Sequence, residues 1–165
     1  MRPFRAKGGV LAAALDRAEA GIVGLLLDQL DQLLSADAGD VGDDPVLARL
    51  LPDGHRSDPA LAADYRELTE SSLRSAKADD LATVRATLPP DGGELRLDVD
   101  QAAAWLRTTN DLRLALGTRL DVTEDTEPPE DFTDEHDHQL GVYYWLTAVQ
   151  GSLVDALVAA RAARR

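Results

Sequence analysis

The stretch ELRLDVDQAAAWLRTTNDLRLALGTRL, residues 94–120, decides the fold class because it places a short strand directly before a long helix. Polar and apolar residues alternate in 94–97, which is typical of a strand. Asp98, with Gln101 three residues later, is typical of the capping box that begins a helix. The helix then carries large apolar residues that we expect on its core side: Trp105, Leu106, Leu112, Leu116 and Leu120.

The first fifteen residues predict strands that pair with 94–97. Gly8-Gly9 separates the runs Pro3-Phe4-Arg5 and Val10 to Leu15, which is typical of a hairpin, although three consecutive alanines weaken the second strand. We therefore predict a mainly α fold, a helical bundle with a small two- or three-stranded β-sheet from the N-terminal hairpin and residues 94–97.

Capping signals predict the remaining helices. Asp16 and Glu19 favour a helix from about Arg17 to Ser35, in which Gly21 and Gly24 would mark a close approach by another element. Asp44-Pro45 predicts a short helix, since proline suits the first helical position. Asp58-Pro59 predicts a longer helical region to about Leu88, with a break near 69–72 because its apolar residues do not keep to one stripe. The last helix is predicted from about 139 to 163.

A single domain, 1–165, fits the length of the chain. Within it, residues 121–138 contain many acids, two adjacent prolines and no Lys or Arg, so we predict a solvated and mobile loop. His136 and His138 are weak candidates for metal ligands, because two imidazoles among carboxylates can chelate zinc or nickel. We predict no specific metal site and no cofactor.

Composition limits the partners and the chemistry that we expect of this chain. The chain has a net charge of −13, 44% hydrophobic residues and no cysteine. The negative charge argues against DNA binding by the isolated chain and favours a basic protein surface as partner, although acidity also serves solubility alone. Without cysteine the chain has no disulfide and no thiolate nucleophile. No apolar run is long enough to span a membrane, so we expect a cytoplasmic protein.

No motif of a catalytic or phosphate-binding site occurs, so we predict that the chain is not an enzyme. The most distinctive polar segment lies between Trp105 and Arg113. Asn110, Arg113 and Gly117 share one helical face, which could bind a partner or could hold a hydrogen-bonded contact within the chain. Our candidate partner-binding residues are Asn110, Arg113 and Trp105. Exposed apolar surface on the last helix could support a homodimer.

The block NDLRLALGTRL, residues 110–120, is long and not of low complexity, and it lies in a distinctive stretch that runs to Val122. Further distinctive segments are Arg2-Pro3-Phe4, 44–53, Tyr65 to Glu70 with Leu73-Arg74, Trp105-Leu106-Arg107 and Tyr143 to Thr147 with Gln150 and Ser152-Leu153. Together these segments resemble the actinobacterial oxidative-stress regulator family AosR, formerly a domain of unknown function.

The resemblance implies a transcriptional regulator that acts with a sigma factor and senses redox state through a cysteine pair. This chain departs from that pattern because it has no cysteine. We therefore predict a non-enzymatic regulator that acts through protein partners, without a cysteine redox switch in this chain. An adaptor or scaffold in protein turnover is the alternative.

Overall fold

A computed structural model describes residues 1–36, 44–52 and 59–163, with the backbone alone for 59–67. The strands are β1 (Arg2–Lys7), β2 (Val10–Leu15) and β3 (Gly93–Leu97). The helices are α1 (Arg17–Leu34), α2 (Pro45–Leu50), α3 (Pro59–Thr87), α4 (Val99–Arg119) and α5 (Glu135–Ala162). The predicted fold class, mainly helical with a small sheet, is confirmed.

The sheet is antiparallel, with strand order β1-β2-β3. Gly8 and Gly9 both have positive φ, which supplies the tight turn between β1 and β2. Residues 93–97 pair with β2, so the third strand expected from the alternating stretch is present. The three alanines of β2 form a regular strand despite the weakness expected of them. Ala13 faces the core, and Ala12 and Ala14 lie on the opposite face of the sheet.

Side chains from the inner sheet face and from all five helices form one core. The long helices α4 and α5 pack against each other, and α5 also covers the free edge of β1, where the hydroxyl of Ser152 accepts a hydrogen bond from the Phe4 amide at 3.3 Å. The most completely buried side chains include Leu11, Leu27, Leu97 and Leu153. Among the described residues, no helix combines the length and apolarity needed to cross a membrane.

The capping predictions at three helices are confirmed. Asp16 and Asp98 form complete capping boxes with Glu19 and Gln101, and the Asp44 side chain accepts from the amides of α2. Each carboxylate satisfies amide groups that would otherwise lack partners at a helix start. Asp58 lies outside the described residues.

Helix α3 is continuous, so the predicted break near 69–72 is wrong. The apolar residues do not keep to one stripe because the two ends of the helix have different surroundings. The helix itself is not interrupted. Leu68 is 77% exposed, whereas Leu81 and Val84 are buried in the core. Across the supposed break, Arg74 pairs with Glu70 at 3.1 Å in the i, i+4 arrangement that stabilises a helix.

Two further expectations are corrected. Apart from the adjoining backbone of α1 itself, a Cβ added at Gly21 or Gly24 would meet no described atom within 4 Å, so neither glycine marks a close approach by a described element. Helix α5 begins at Glu135, four residues earlier than predicted, because Asp134 caps it by accepting from the amide of Asp137. The predicted mobility of residues 121–138 stays a prediction. The first part of this segment contacts α5, where the Tyr144 hydroxyl donates a hydrogen bond to the carbonyl oxygen of Thr126.

Candidate functional site

The face predicted from Asn110 and Arg113 lies against α5 and forms what we call the polar seam: Asn110, Arg113, Tyr143, Thr147 and Gln150. Arg113 Nε donates to the Thr147 hydroxyl at 2.9 Å, and its Nη1 donates to Gln150 Oε1. The amide nitrogen of Gln150 donates in turn to Asn110 Oδ1 at 3.3 Å. Asn110 and Arg113 are thus brought together, with polar partners from α5.

Helical spacing explains why these five side chains meet. Asn110 and Arg113 are three residues apart on α4, and Tyr143, Thr147 and Gln150 follow at i, i+4 and i+7 on α5, so each set shares a face. The Arg113 guanidinium also lies over the Tyr143 ring, 5.2 Å from its centroid, a distance suited to a cation–π contact.

Gly117 allows α5 to approach α4 at this seam. A Cβ at Gly117 would lie 3.0 Å from Cε2 of Tyr143, which is closer than ordinary van der Waals contact. The predicted face of Asn110, Arg113 and Gly117 therefore serves, in this structure, as an interhelical contact. Both Arg113 and Asn110 remain half-buried, and Thr147 is exposed, so one side of the seam reaches the surface.

Trp105, the third candidate, lies in the core at 3% exposure. Its ring packs near Phe4, with centroids 6.1 Å apart, and its Nε1 donates to the Thr87 hydroxyl at 2.8 Å. This bond satisfies the one polar group of a buried indole. A partner could contact Trp105 only after the ring is uncovered, so its partner-binding role stays a prediction.

A second polar contact, between α3 and α4, was not foreseen from the sequence. Lys77 Nζ lies 2.7 and 2.8 Å from the two oxygens of Asp111, and the two side chains are only 15% and 9% exposed. Burial raises the pKa of Asp111, and Lys77 opposes that rise. A charged residue beside Leu112 on the core side of a helix is the signal that could have indicated a buried partner.

A more exposed pair lies beside it. Arg107 Nε and Nη2 donate to the two carboxylate oxygens of Asp80 at 2.7 and 2.6 Å, in the bidentate geometry that arginine favours. The hydrogen bond to Asp80 raises the pKa of Arg107. The two pairs join α3 to α4 along neighbouring turns.

The two histidines lie in the first turns of α5. Residues two apart on a helix do not face each other, so the imidazoles of His136 and His138 are not placed for chelation. The His138 ring lies 5.6 Å from that of Phe132, and its Nδ1 is 2.6 Å from the carbonyl oxygen of Asp134. Over the described part of the chain, no group of three or more His, Asp or Glu side chains is placed to hold a metal ion.

The described fold is a mainly helical domain with a three-stranded sheet. Hydrogen bonds and an ion pair between polar side chains link α4 to α5 and α3 to α4. Sequence comparison then places it: the chain belongs to the family described as "Domain of unknown function (DUF2017)", whose model matches residues 1–157.

Curated relatives come from mycobacteria. The chain is 32% identical over 175 residues to the oxidative stress regulator AosR of Mycobacterium tuberculosis H37Rv, which covers 91% of this chain and 79% of that protein. The Mycobacterium bovis protein of the same name matches to the same extent. A Mycobacterium leprae protein whose name also carries AosR is 37% identical over 150 residues, or 81% of this chain and 68% of that protein. No solved structure matches the chain.

Proposed function

We propose that this chain is a regulator of an oxidative-stress response and that it acts by binding protein partners, without catalysis, in the cytoplasm. The observation that carries the proposal is its identity of 32–37%, over most of its length, to proteins named as oxidative stress regulators. The family model matches residues 1–157, the stretch of this chain that contains the sheet, the polar seam and the buried ion pair.

The chemistry of the polar seam supports binding in preference to catalysis. Hydrogen bonds join Arg113 and Asn110 of α4 to Thr147 and Gln150 of α5. The functional groups in the seam are amides, hydroxyls and a guanidinium. None of these is a nucleophile activated by a neighbouring base. At its surface side, the seam could accept a partner through Thr147 and the accessible part of Arg113.

Because the 165 residues contain no cysteine, thiol oxidation within them cannot supply the signal that controls such a regulator. We therefore propose that the redox signal reaches this chain through its partner. Resemblance to the AosR family favours a sigma factor or another transcription component as that partner.

The test measures binding of the purified chain to purified actinobacterial stress-response sigma factors and to core RNA polymerase, by biolayer interferometry. We expect one of them to bind. When only the chain is treated with hydrogen peroxide before the assay, its affinity should stay the same. Arg113→Met should weaken binding, and Arg161→Met, at an exposed arginine on α5, is the matched control.

Three outcomes would contradict the proposal. The first is that no transcription component binds and that stress-gene transcription in vitro is unchanged by the chain. The second is loss of binding when only the chain is oxidised, which would place a redox sensor within it. The third is specific binding to a protease subunit, which would favour the adaptor in protein turnover.

A further inference from the structure

The outer face of the sheet concentrates positive charge in a chain that is strongly negative overall. Register places Arg2 opposite Ala14 and Arg5 opposite Ala12. Three steps along β1 thus oppose two along β2, which is the count of a β-bulge. In a regular strand, residues three apart point to opposite faces. The bulge therefore brings Arg2 and Arg5 onto one face, while Phe4 points into the core at 4% exposure.

Lys7 and Arg96 extend this surface. Lys7 pairs with Val10 next to the turn, and Arg96 of β3 lies opposite Ala12, so both share the face of Arg5. We call Arg2, Arg5, Lys7 and Arg96 the basic sheet face. All four side chains are exposed.

The basic sheet face has the shape of an open groove. Its floor is β2, where Ala12 and Ala14 are small, and its walls are the longer side chains of β1 and β3. A cavity of about 450 Å³ within it is lined by Arg2, Pro3, Arg5, Lys7, Ala12, Ala13 and Glu94. The two outer strands of a three-stranded sheet lie roughly 10 Å apart, and six residues of strand extend for roughly 20 Å, which is room for one extended peptide segment of about six residues.

Charge in the groove is largely uncompensated. Glu94 is the acid on this face, and it pairs with Arg96 at 3.3 Å. Within the described ranges, no carboxylate lies within ion-pair distance of Arg2, Arg5 or Lys7. Fields from acids farther away are screened within about 8 Å at physiological ionic strength, so a ligand in the groove interacts mainly with these bases.

We propose that the basic sheet face binds an extended, acidic segment of a partner protein, whose carboxylates pair with Arg2, Arg5 and Lys7 while its backbone lies over the alanine floor. The inference goes beyond the proposed function, because it names a surface and a ligand chemistry that stand whether or not the partner is a transcription component. Sheet surfaces that bind single-stranded nucleic acid stack bases on aromatic rings. Phe4, the aromatic residue of the three strands, points the other way, so a protein segment fits better.

The probe is a fluorescent dodecapeptide of alternating glutamate and serine, and its glutamine–serine counterpart is the neutral control. Binding to the full chain is measured by fluorescence anisotropy. We expect the acidic peptide alone to bind, and we expect Arg5→Glu/Lys7→Glu to weaken its binding by on the order of tenfold or more, because the variant replaces two exposed ion pairs by two repulsive contacts. Raising the ionic strength from about 0.1 M to about 1 M should abolish binding, because the screening length falls to about 3 Å.

Arg49→Glu/Arg161→Glu is the control for net charge, because it reverses two exposed arginines that belong to α2 and α5 and not to the strands, and it should leave binding within about twofold. Circular dichroism checks folding, and Arg5→Gln/Lys7→Gln replaces the charge-reversed variant if that variant does not fold. Equal binding by all variants, or no binding of the acidic peptide, would overturn the proposal. So would tighter binding of a thymidine dodecamer that needs the same two residues, or a salt-sensitive dimer of the chain that the same variant abolishes.

Discussion

Replacing Lys77 by methionine isolates the energetic role of the buried pair between α3 and α4. The substitution keeps much of the aliphatic volume but leaves the Asp111 carboxylate, with a side chain 9% exposed, without its ammonium partner. Breaking a buried ion pair in this way costs about 3–5 kcal/mol. We expect the free energy of unfolding to fall by about 3 kcal/mol, because Asp111 can take up a proton and so limit the cost.

Urea unfolding followed by circular dichroism measures the loss. With a typical slope of about 2 kcal/mol per molar urea, 3 kcal/mol lowers the midpoint by about 1.5 M. The double variant Lys77→Met/Asp111→Leu should recover to within about 1 kcal/mol of the original chain, because neither charge remains to be buried unpaired. Arg107→Met is the matched control at the adjacent pair, where the arginine side chain is 59% exposed, and should cost about 1 kcal/mol or less.

The pH dependence gives a second and independent readout. Burial already raises the pKa of Asp111 above its value in the unfolded chain, and removal of Lys77 must raise it further. The folded variant then binds a proton at a higher pH than the unfolded chain does. Its deficit is therefore greatest above the raised pKa and shrinks as the pH falls through it. A loss below about 1 kcal/mol, or a deficit unchanged between about pH 7 and pH 4, would refute this account of the pair.

Two further predictions concern packing around the sheet and the core. In thermal unfolding, Gly92→Ala should destabilise the chain by at least about 1 kcal/mol more than Gly8→Ala does. Both glycines have positive φ, so both variants are strained. Only at Gly92 would the new Cβ also lie 2.6 Å from a backbone atom of Asp16, whereas at Gly8 it would meet nothing within 4 Å. Equal losses in the two variants would contradict that reasoning. Thr87→Val should cost about 1–3 kcal/mol in urea unfolding and shift tryptophan fluorescence, because the buried Trp105 Nε1 loses its acceptor. Thr83→Val is the control, and a neutral Thr87→Val would show that the indole finds another partner.

Local signals predicted the elements of this fold well. The capping boxes at Asp16 and Asp98 act over three residues, so the sequence contains everything that they need. The third strand was predictable because alternation in 94–97 directly precedes a helix start. The supposed break in α3 was wrong for the opposite reason: an irregular apolar stripe reflects which parts of a helix meet the core, and this depends on distant elements.

The candidate site was predictable only in part. Spacing alone placed Asn110 and Arg113 on one face, because that relation is internal to α4. Their partners Thr147 and Gln150 are more than thirty residues away on α5, and no periodicity in one helix specifies which turn of another it meets. The same holds for Lys77 and Asp111, which are 34 residues apart in the chain.

The prediction that the isolated chain does not bind DNA rests on its net charge, and the basic sheet face is where that reasoning is weakest. A total of −13 describes the field far from the protein, whereas a bound ligand experiences charges within about one screening length. The bulge in β1 places Arg2 on the same face as Arg5 and Lys7, so positive charge is concentrated there in a chain whose total charge is negative. The argument against single-stranded nucleic acid is therefore chemical: the basic sheet face has an alanine floor, and Phe4, the ring that could have stacked on a base, packs beside Trp105 in the core.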